Sequence, residues 1–558
     1  MPYVNMANLA SHFLNKSASG LVLVLVVWLV TLLRPIHCNQ MPFENLQAQA
    51  PMLEAGKAVK NVAIIGIFVL RAGIQCPGLI HLGSGPSGAA SAYFLRRLSS
   101  SDVTHNIVLF EKEAELGGRV RSIAVPDHDL ESLEVGVTAF SEQDALLNEV
   151  VDDLGLKQDI VSSYHPNKSA IWDGRHLAPS MPTRTTTWRE WANMTRLYGL
   201  GFVQSMHLTK ETFSTLSRLP EAIPIRNIYR SMQQLDAADS LWWTPVAYLR
   251  SKWISGNFVD EYATASIRAS FGQDKFDSNA YYLALALNSL TQTSLRLKGG
   301  NSKLIDGMIA ASLAVVHHSQ QVVEITNSAN GSVRVRSRSV SKENPEESEA
   351  FFDSVIIAAP WASTGISLPE LTILPATVEY TEMHVTHFLS PFDLNPQTFK
   401  LEDGDHCPDD IMSLRVEAPN TTEEANIFDF FRLTKVQSLP AQEQRPELNL
   451  YRLLTPKATT TAQLLSLLRI PKESAADPIS WQHNHHWPFA YPKADYEQSP
   501  YFSEVADNIY TTANIELIGS RLETAVTMGK NIAKLVDAQL KEQMNAEKCR
   551  VESIELDE

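Results

Sequence analysis

Cysteine is scarce in this chain. Four in 558 residues (Cys38, Cys76, Cys407 and Cys549) cannot build a disulfide framework. No pair stands at a CxxC-type metal-ligand spacing, so the sequence offers no zinc ribbon, and the expected metal complement is none. Dense basic blocks are also missing. With 47 Lys and Arg against 63 Asp and Glu the net charge is −16, which excludes nucleic acid as the expected partner. An apolar content of 44% is that of a globular chain, and the length exceeds one ordinary core. A folded core must therefore carry the stability, in two domains or one large two-lobed enzyme.

Near the N-terminus, Leu21 to Leu33 is a continuous apolar run between Lys16 and Arg34-Pro35. It is too short for a comfortable membrane span and reads as a secretory h-region, with cleavage expected after about Cys38 and an uncleaved anchor as the alternative. Four sequons follow, at Asn167, Asn193, Asn330 and Asn420, as a secretory, N-glycosylated route would use. Residues 39–60 are polar and rich in Ala and Gln, a loose leader.

The richest stretch is Gly83-Ser84-Gly85-Pro86-Ser87-Gly88, followed by a helical run from Ala89 to Leu98 and an apolar strand, Ile107 to Phe110, that ends in Glu111. Gly-rich turn, helix, strand and terminal acid are the order of the dinucleotide fingerprint. Gly83 permits the tight turn, Gly85 lets the backbone approach a pyrophosphate, and Gly88 allows close helix–strand packing. Glu111 is placed to accept hydrogen bonds from ribose hydroxyls. A second signal follows in Glu111-Lys112-Glu113-Ala114-Glu115-Leu116-Gly117-Gly118-Arg119. An acid at a strand end and then a Gly-Gly-Arg turn resembles the FAD-binding oxidases of the amine-oxidase type, so FAD is the expected cofactor.

The start of that fingerprint is irregular. Asn61 to Ile65 already reads as a first strand running into Gly66, yet the glycine turn begins at Gly83. Joining Ile65 to Gly83 gives NVAIIGSGPSGAASAYFLRR, an uninterrupted fingerprint, so Gly66 to Leu82 reads as an insert of a length compatible with a translated in-frame intron. The alternative is that Leu79 to Leu82 forms the strand and Ala63 to Ile65 does something else.

Downstream, the first flavin-domain segment runs over 61–160, including Leu133-Glu134-Val135-Gly136-Val137 as another backbone turn near the cofactor. Residues 161–290 read as a helical, aromatic substrate lobe, where Trp residues serve a core or a lipid-like pocket. The Gly-rich style returns at Lys298-Gly299-Gly300-Asn301, opening a second flavin segment (291–390) with a helix Leu304 to Val315 and strands Val322 to Thr326 and Phe352 to Pro360. A second part of the lobe (391–490), a closing flavin segment (491–545) with a helix Val526 to Leu540, and a tail (546–558) complete the chain. The expected fold class is α/β: a Rossmann-like FAD-binding domain interrupted by a helical, mixed substrate lobe.

With these pieces in order, the chain resembles the prenylcysteine oxidases, also called prenylcysteine lyases, in FEKEAELGGRVRS, LEVGVTAF, KGGNSKLIDGMIAAS, FDSVIIAAP, Trp487-Pro488-Phe489-Ala490-Tyr491-Pro492 and IELIGSRLETAVTMGKNIAKL. That resemblance implies FAD contacts at Gly83, Gly85, Gly88, Glu111, Gly117, Gly118, Arg119, Glu516 and Glu523. It also implies an oxidase that uses FAD and molecular oxygen to cleave farnesyl- or geranylgeranyl-cysteine to free cysteine, a prenyl aldehyde and hydrogen peroxide. The implied setting is the breakdown of prenylated proteins, and the N-terminal segment and sequons point to the secretory pathway, with the lysosome, the vacuole or secretion as the destination.

Trp481-Gln482-His483-Asn484-His485-His486-Trp487 adds three histidines able to bind a substrate carboxylate or shuttle a proton. No Cys, Asp or Glu stands beside them to complete a metal site, and an exposed loop is their expected setting. Two other readings remain open: another secreted flavin oxidase, acting on an amine or an apolar alkene, and a lipid-binding pseudoenzyme disabled by the insert.

Overall fold

The computed structural model describes residues 58–65, 78–100, 103–125, 132–164, 169–181, 188–254, 256–291, 294–329, 331–340, 347–369, 378–402, 404–414, 429–441, 446–493 and 501–557. The Leu21 to Leu33 run, three of the four sequons, Cys38, Cys76 and most of the suspected insert lie outside them. Asn193 falls inside, on a helix and partly exposed. Among the described residues no helix is long and apolar enough to cross a membrane.

A mixed sheet positions the cofactor motifs. Its first strands are β1 (Ala58–Ile65) and β2 (Gly78–Leu82), followed by helix α1 (Pro86–Leu98) and β3 (Val103–Phe110). Then come β4 (Val315–His317), β5 (Gln320–Asn327), β6 (Val333–Ser339) and β7 (Glu347–Ile357). β3, β4, β7 and the first strands run parallel, while β5 and β6 form an antiparallel extension off the first half of β7. Parallel order with intervening helices, and strands such as Val355 to Ile357 buried on both faces, is the Rossmann-like arrangement.

β1 and β2 claim one slot. Val62 and Leu79 each stand opposite Ile107 on one side and Ser354 on the other. Ala63 and Ile80 likewise both face Val108. A strand edge carries a single row of N–H and C=O groups. The two segments, which also pair with each other at Ile64–His81 and Ile65–Leu82, therefore compete for one central position seventeen residues out of step, which is the length of Gly66 to Leu82. This register is what the insert reading requires, because removing that segment brings Ile65 to Gly83 without shifting any pairing.

The substrate lobe combines helices between Trp188 and Thr291 with a second sheet. That sheet contains β8 (Tyr380–Ser390), β9 (Arg432–Leu439), β10 (Leu448–Thr455) and β11 (Trp481–Pro492) in the order β11-β8-β10-β9, continued by Asp410–Ser413, Ser169–Trp172 and Leu177–Met181. Two expectations change here. β8, read from sequence as the end of a flavin segment, pairs with β10 and β11, so the lobe begins by Tyr380 and not at 391. The histidine-rich stretch is an edge strand and not a loop, because its alternating residues pair across to Met383 through Leu389.

The chain then returns to the first sheet. β12 (Ile509–Thr511) pairs in parallel with the second half of β7, and helix α2 (Leu522–Asp557) packs on α1. Small residues allow that crossing: a Cβ on Gly529 would lie 2.5 Å from the Ala90 Cβ and 2.7 Å from the Ser87 carbonyl oxygen.

Candidate functional site

The glycine turn of the fingerprint is sterically committed. Gly83 sits at φ +96°, and a Cβ there would meet the Ala358 carbonyl oxygen at 2.7 Å. A Cβ on Gly88 would lie 1.9 Å from the Gly83 oxygen, inside any contact distance. Gly85 caps α1 in an extended conformation with no side-chain cap, and Pro86 opens the helix. The first N–H groups of α1 are thus left for a ligand at the positive end of the helix dipole.

Ser84 ties the motifs together. Its N–H and hydroxyl both donate to one Glu111 oxygen, at 2.8 and 2.5 Å, while the Glu113 N–H donates to the other at 3.0 Å. The Ser84 hydroxyl also accepts from the Gly117 N–H at 3.1 Å, bringing the Gly-Gly-Arg turn against the fingerprint. Gly118 and Gly85 approach backbone to backbone, with a Gly118 Cβ only 3.0 Å from the Gly85 Cα. Burial raises the Glu111 carboxyl above its ordinary value against the pull of these donors.

Residues distant in sequence complete the cradle. Arg119 donates to the Ala490 carbonyl at 2.9 Å and pairs with Glu516, which also accepts from the Tyr380 hydroxyl. Trp487 donates from Nε1 to the Val135 carbonyl at 2.8 Å and lies over Gly136, where a Cβ would be 3.3 Å from the indole and 1.9 Å from the Arg119 oxygen. One oxygen of Glu523 takes the Ser141 N–H at 2.6 Å and Arg521 at 3.0 Å, while its other oxygen is buried with no hydrogen-bond partner. Such an orphan acceptor is costly unless a ligand donates to it.

These groups line one cavity of about 610 Å³. Gly83, Gly85, Glu111, Gly118, Arg119, Glu516 and Glu523 all reach its wall, whereas Gly88 and Gly117 shape it from behind. His485 and His486 also border it, and His483 does not. Burial, with help from Arg121 and the neighbouring histidines, pushes His485 down to about 4. At neutral pH it is therefore the neutral imidazole, with one ring N–H to donate and no positive charge to offer a substrate carboxylate.

The same cavity extends into the lobe, where Tyr262, Phe271, Met383, Val385, Met412 and Leu454 give it an apolar wall. Two arginines that sequence reasoning passed over stand in that wall. Arg432 is spoken for: Nε and Nη2 reach Asp410 at 2.6 and 3.1 Å, and Thr434 and Ser169 donate to the same carboxylate. Arg452, on the neighbouring strand, is not. Its Nε finds no hydrogen-bond partner, and no carboxylate forms an ion pair with it among the described residues. Burial and the adjacent Arg432 charge push it down to about 10, so it stays protonated at neutral pH. No local sequence pattern marks it, because its surroundings come from β9, the strand Asp410–Ser413 and the strand Ser169–Trp172.

Fold and cradle together define a Rossmann-like FAD-binding protein with the fold of the amine-oxidase-type flavoproteins. The orphan Glu523 oxygen, the uncapped helix start and the converging glycines fit that dinucleotide. An engineered putrescine oxidase shares the fold at a TM-score of 0.52 and 16% identity, covering 82% of this chain and 98% of that one. A profile for an NAD(P)-binding Rossmann-like domain matches residues 82–154, beginning at the end of β2. The chain belongs to the prenylcysteine lyase family, whose profile matches residues 182–548. It is similar to mouse prenylcysteine oxidase 1-like, 26% identical over 325 residues, covering 56% of this chain and 60% of that protein's length. It is also similar to farnesylcysteine lyase of Arabidopsis thaliana, 21% identical over 474 residues, covering 82% of this chain and 87% of that protein.

Proposed function

We propose that this protein oxidises the thioether of farnesyl- or geranylgeranyl-cysteine, releasing free cysteine, a prenyl aldehyde and hydrogen peroxide during breakdown of prenylated proteins. The observation that carries the reading is the continuity of the site. A glycine-built dinucleotide cradle opens into an apolar chamber whose wall holds Arg452, a guanidinium with an unpartnered Nε and no ion pair among the described residues. An isoprenoid chain matches the chamber, and the amino-acid carboxylate matches Arg452 as a charge-assisted partner.

Bound FAD supplies the two-electron acceptor for the carbon next to sulfur, with molecular oxygen as the final acceptor. The sulfur-stabilised allylic cation left on the substrate takes up water, and the hemithioacetal collapses to aldehyde and thiol. This chemistry needs no strong base on the protein. Arg452 anchors the polar end, and the Met383, Val385 and Leu454 wall holds the tail dry. Arg119, tied to Glu516 and the Ala490 carbonyl, fixes β11 against the cofactor turn.

Anaerobic mixing of the flavin-loaded protein with farnesylcysteine tests the proposal. Bleaching of the visible flavin bands, followed on admission of air by equal yields of free cysteine, aldehyde and peroxide, is expected. Bleaching by amines but not by farnesylcysteine would assign the site to an amine oxidase instead. The reading includes a secretory address from the Leu21 to Leu33 segment, checked by an endoglycosidase mobility shift of protein expressed with its full N-terminus.

A further inference from the structure

On the face of the lobe sheet turned away from Met383 and Val385, where His486 reaches the rim of the cavity, stands a cluster that the oxidase reading does not use. His384 on β8 and His486 on β11 are directly opposite each other, with ring centroids 4.2 Å apart and planes within 5°. Glu382, two residues before His384, projects from the same face of its strand. Its carboxylate lies 3.5 Å from the His486 Nε2. One donor atom from each of the three residues falls within 4.8 Å of the others.

The local irregularity explains why Glu382 reaches. Between the pairs Thr381–Tyr491 and Met383–Trp487 the ladder breaks, since β11 has Pro488, Phe489 and Ala490 opposite a single residue. Pro488 has no N–H to donate to the ladder, and the strand bulges there.

We propose that Glu382, His384 and His486 form a binding site for a divalent transition ion of the zinc class. Two imidazole nitrogens and one carboxylate oxygen are an accepted ligand set for that ion, with water filling the fourth position. Tetrahedral bonds of about 2.0–2.1 Å place donors about 3.3 Å apart, close to the 3.5 Å already separating the Glu382 carboxylate from His486 Nε2. His486 and Glu382 remain solvent-accessible, with side chains 46% and 62% exposed, which gives the ion an entry path.

The opposite face makes the contrast. His483 and His485 sit near Arg121, whose positive charge repels a cation. Composition alone suggested no carboxylate for the histidine run. The missing ligand comes from the neighbouring strand, about a hundred residues earlier in the sequence.

An ion here would clip the edge strand β11 to β8. β11 is the strand whose Trp487 and Ala490 meet the cofactor turns, so the clip would stiffen one wall of the cavity.

The test uses flavin-loaded protein stripped with a chelator and titrated with Zn²⁺ against a chromophoric competitor. One equivalent bound with a dissociation constant of about 1–10 µM is expected, and Mg²⁺ should not compete. His384→Ala and His486→Ala should each weaken binding at least tenfold and Glu382→Gln several-fold, with flavin content unchanged in His384→Ala and Glu382→Gln. His176→Ala, at an exposed histidine elsewhere, should bind as the parent does. Binding weaker than about 100 µM in the parent, or His384→Ala and His486→Ala variants that bind as tightly as the parent, would overturn the assignment.

Discussion

Deleting Gly66 to Leu82 tests the two-strands-for-one-slot arrangement directly. In the shortened chain Val62 keeps Ile107 and Ser354 as partners, and Ile65 runs straight into Gly83. β1 makes seven register pairs with β3, from Ala58 to Ile64, whereas β2 makes four, from Leu79 to Leu82. Against a full chain that seats β2 in the slot, next to the glycine turn, the three extra pairs at roughly 1 kcal/mol net for each ladder hydrogen bond give about 3 kcal/mol in favour of the shortened form. A domain of a few hundred residues gains about 2 °C or less per kcal/mol, so Tm should rise by several degrees. The assay is paired thermal melts, one following flavin fluorescence on release and one following far-ultraviolet circular dichroism. Visible absorbance gives the FAD content of each form at equal protein concentration. A shortened form that melts lower, or carries less FAD than the full chain, would refute the equivalence of the two strands.

Gly88→Ala should yield largely flavin-free protein, since its Cβ has only the Gly83 backbone oxygen to displace, and the visible-to-ultraviolet absorbance ratio measures the loss. Arg452→Met should raise KM for farnesylcysteine about ten- to a hundredfold, the worth of a charge-assisted hydrogen bond at about 1.5–3 kcal/mol. The same variant should handle the methyl ester almost as the parent does, and an equal loss on both substrates would exclude Arg452 as the carboxylate anchor. Glu134 is raised to about 7 by burial. Its unfolded-state pKa is lower, so the folded form holds the extra proton and stability from this group falls as pH rises from about 4.5 to 7, by about 3 kcal/mol at most. Parent and Glu134→Gln denaturation curves at pH 5 and pH 7 should therefore diverge, with the variant relatively more stable at pH 7, and parallel curves would remove the claim.

The Rossmann-like half was legible because its signals are local. Glycines that only φ > 0 or backbone contact explains, and an acid at a strand end, are fixed by neighbours a few residues away. The cavity wall was not. Arg452 differs from any other arginine in sequence, and only the sheet order shows that Asp410 is already consumed by Arg432. Ser84 was passed over as a filler between glycines, yet its hydroxyl joins Glu111 to Gly117. The histidine run misled in a different way. Its alternating spacing is that of a strand, but three imidazoles in a polar stretch read as a loop until the pairing to β8 is seen.

The cofactor cradle is assembled from both ends of the chain. Ser87, at the start of α1, meets Thr512 across 425 positions of sequence, and Ser141 donates to Glu523 across 382. A chain emerging from the ribosome thus makes its glycine turn early and waits for nearly everything else before β12 covers the second half of β7. Until then that strand edge lies open to other chains, and the orphan acceptor of Glu523 does not yet exist as part of a site. Flavin loading is consequently a late event, and a chain interrupted before residue 509 is a candidate for aggregation and clearance rather than a partly active enzyme.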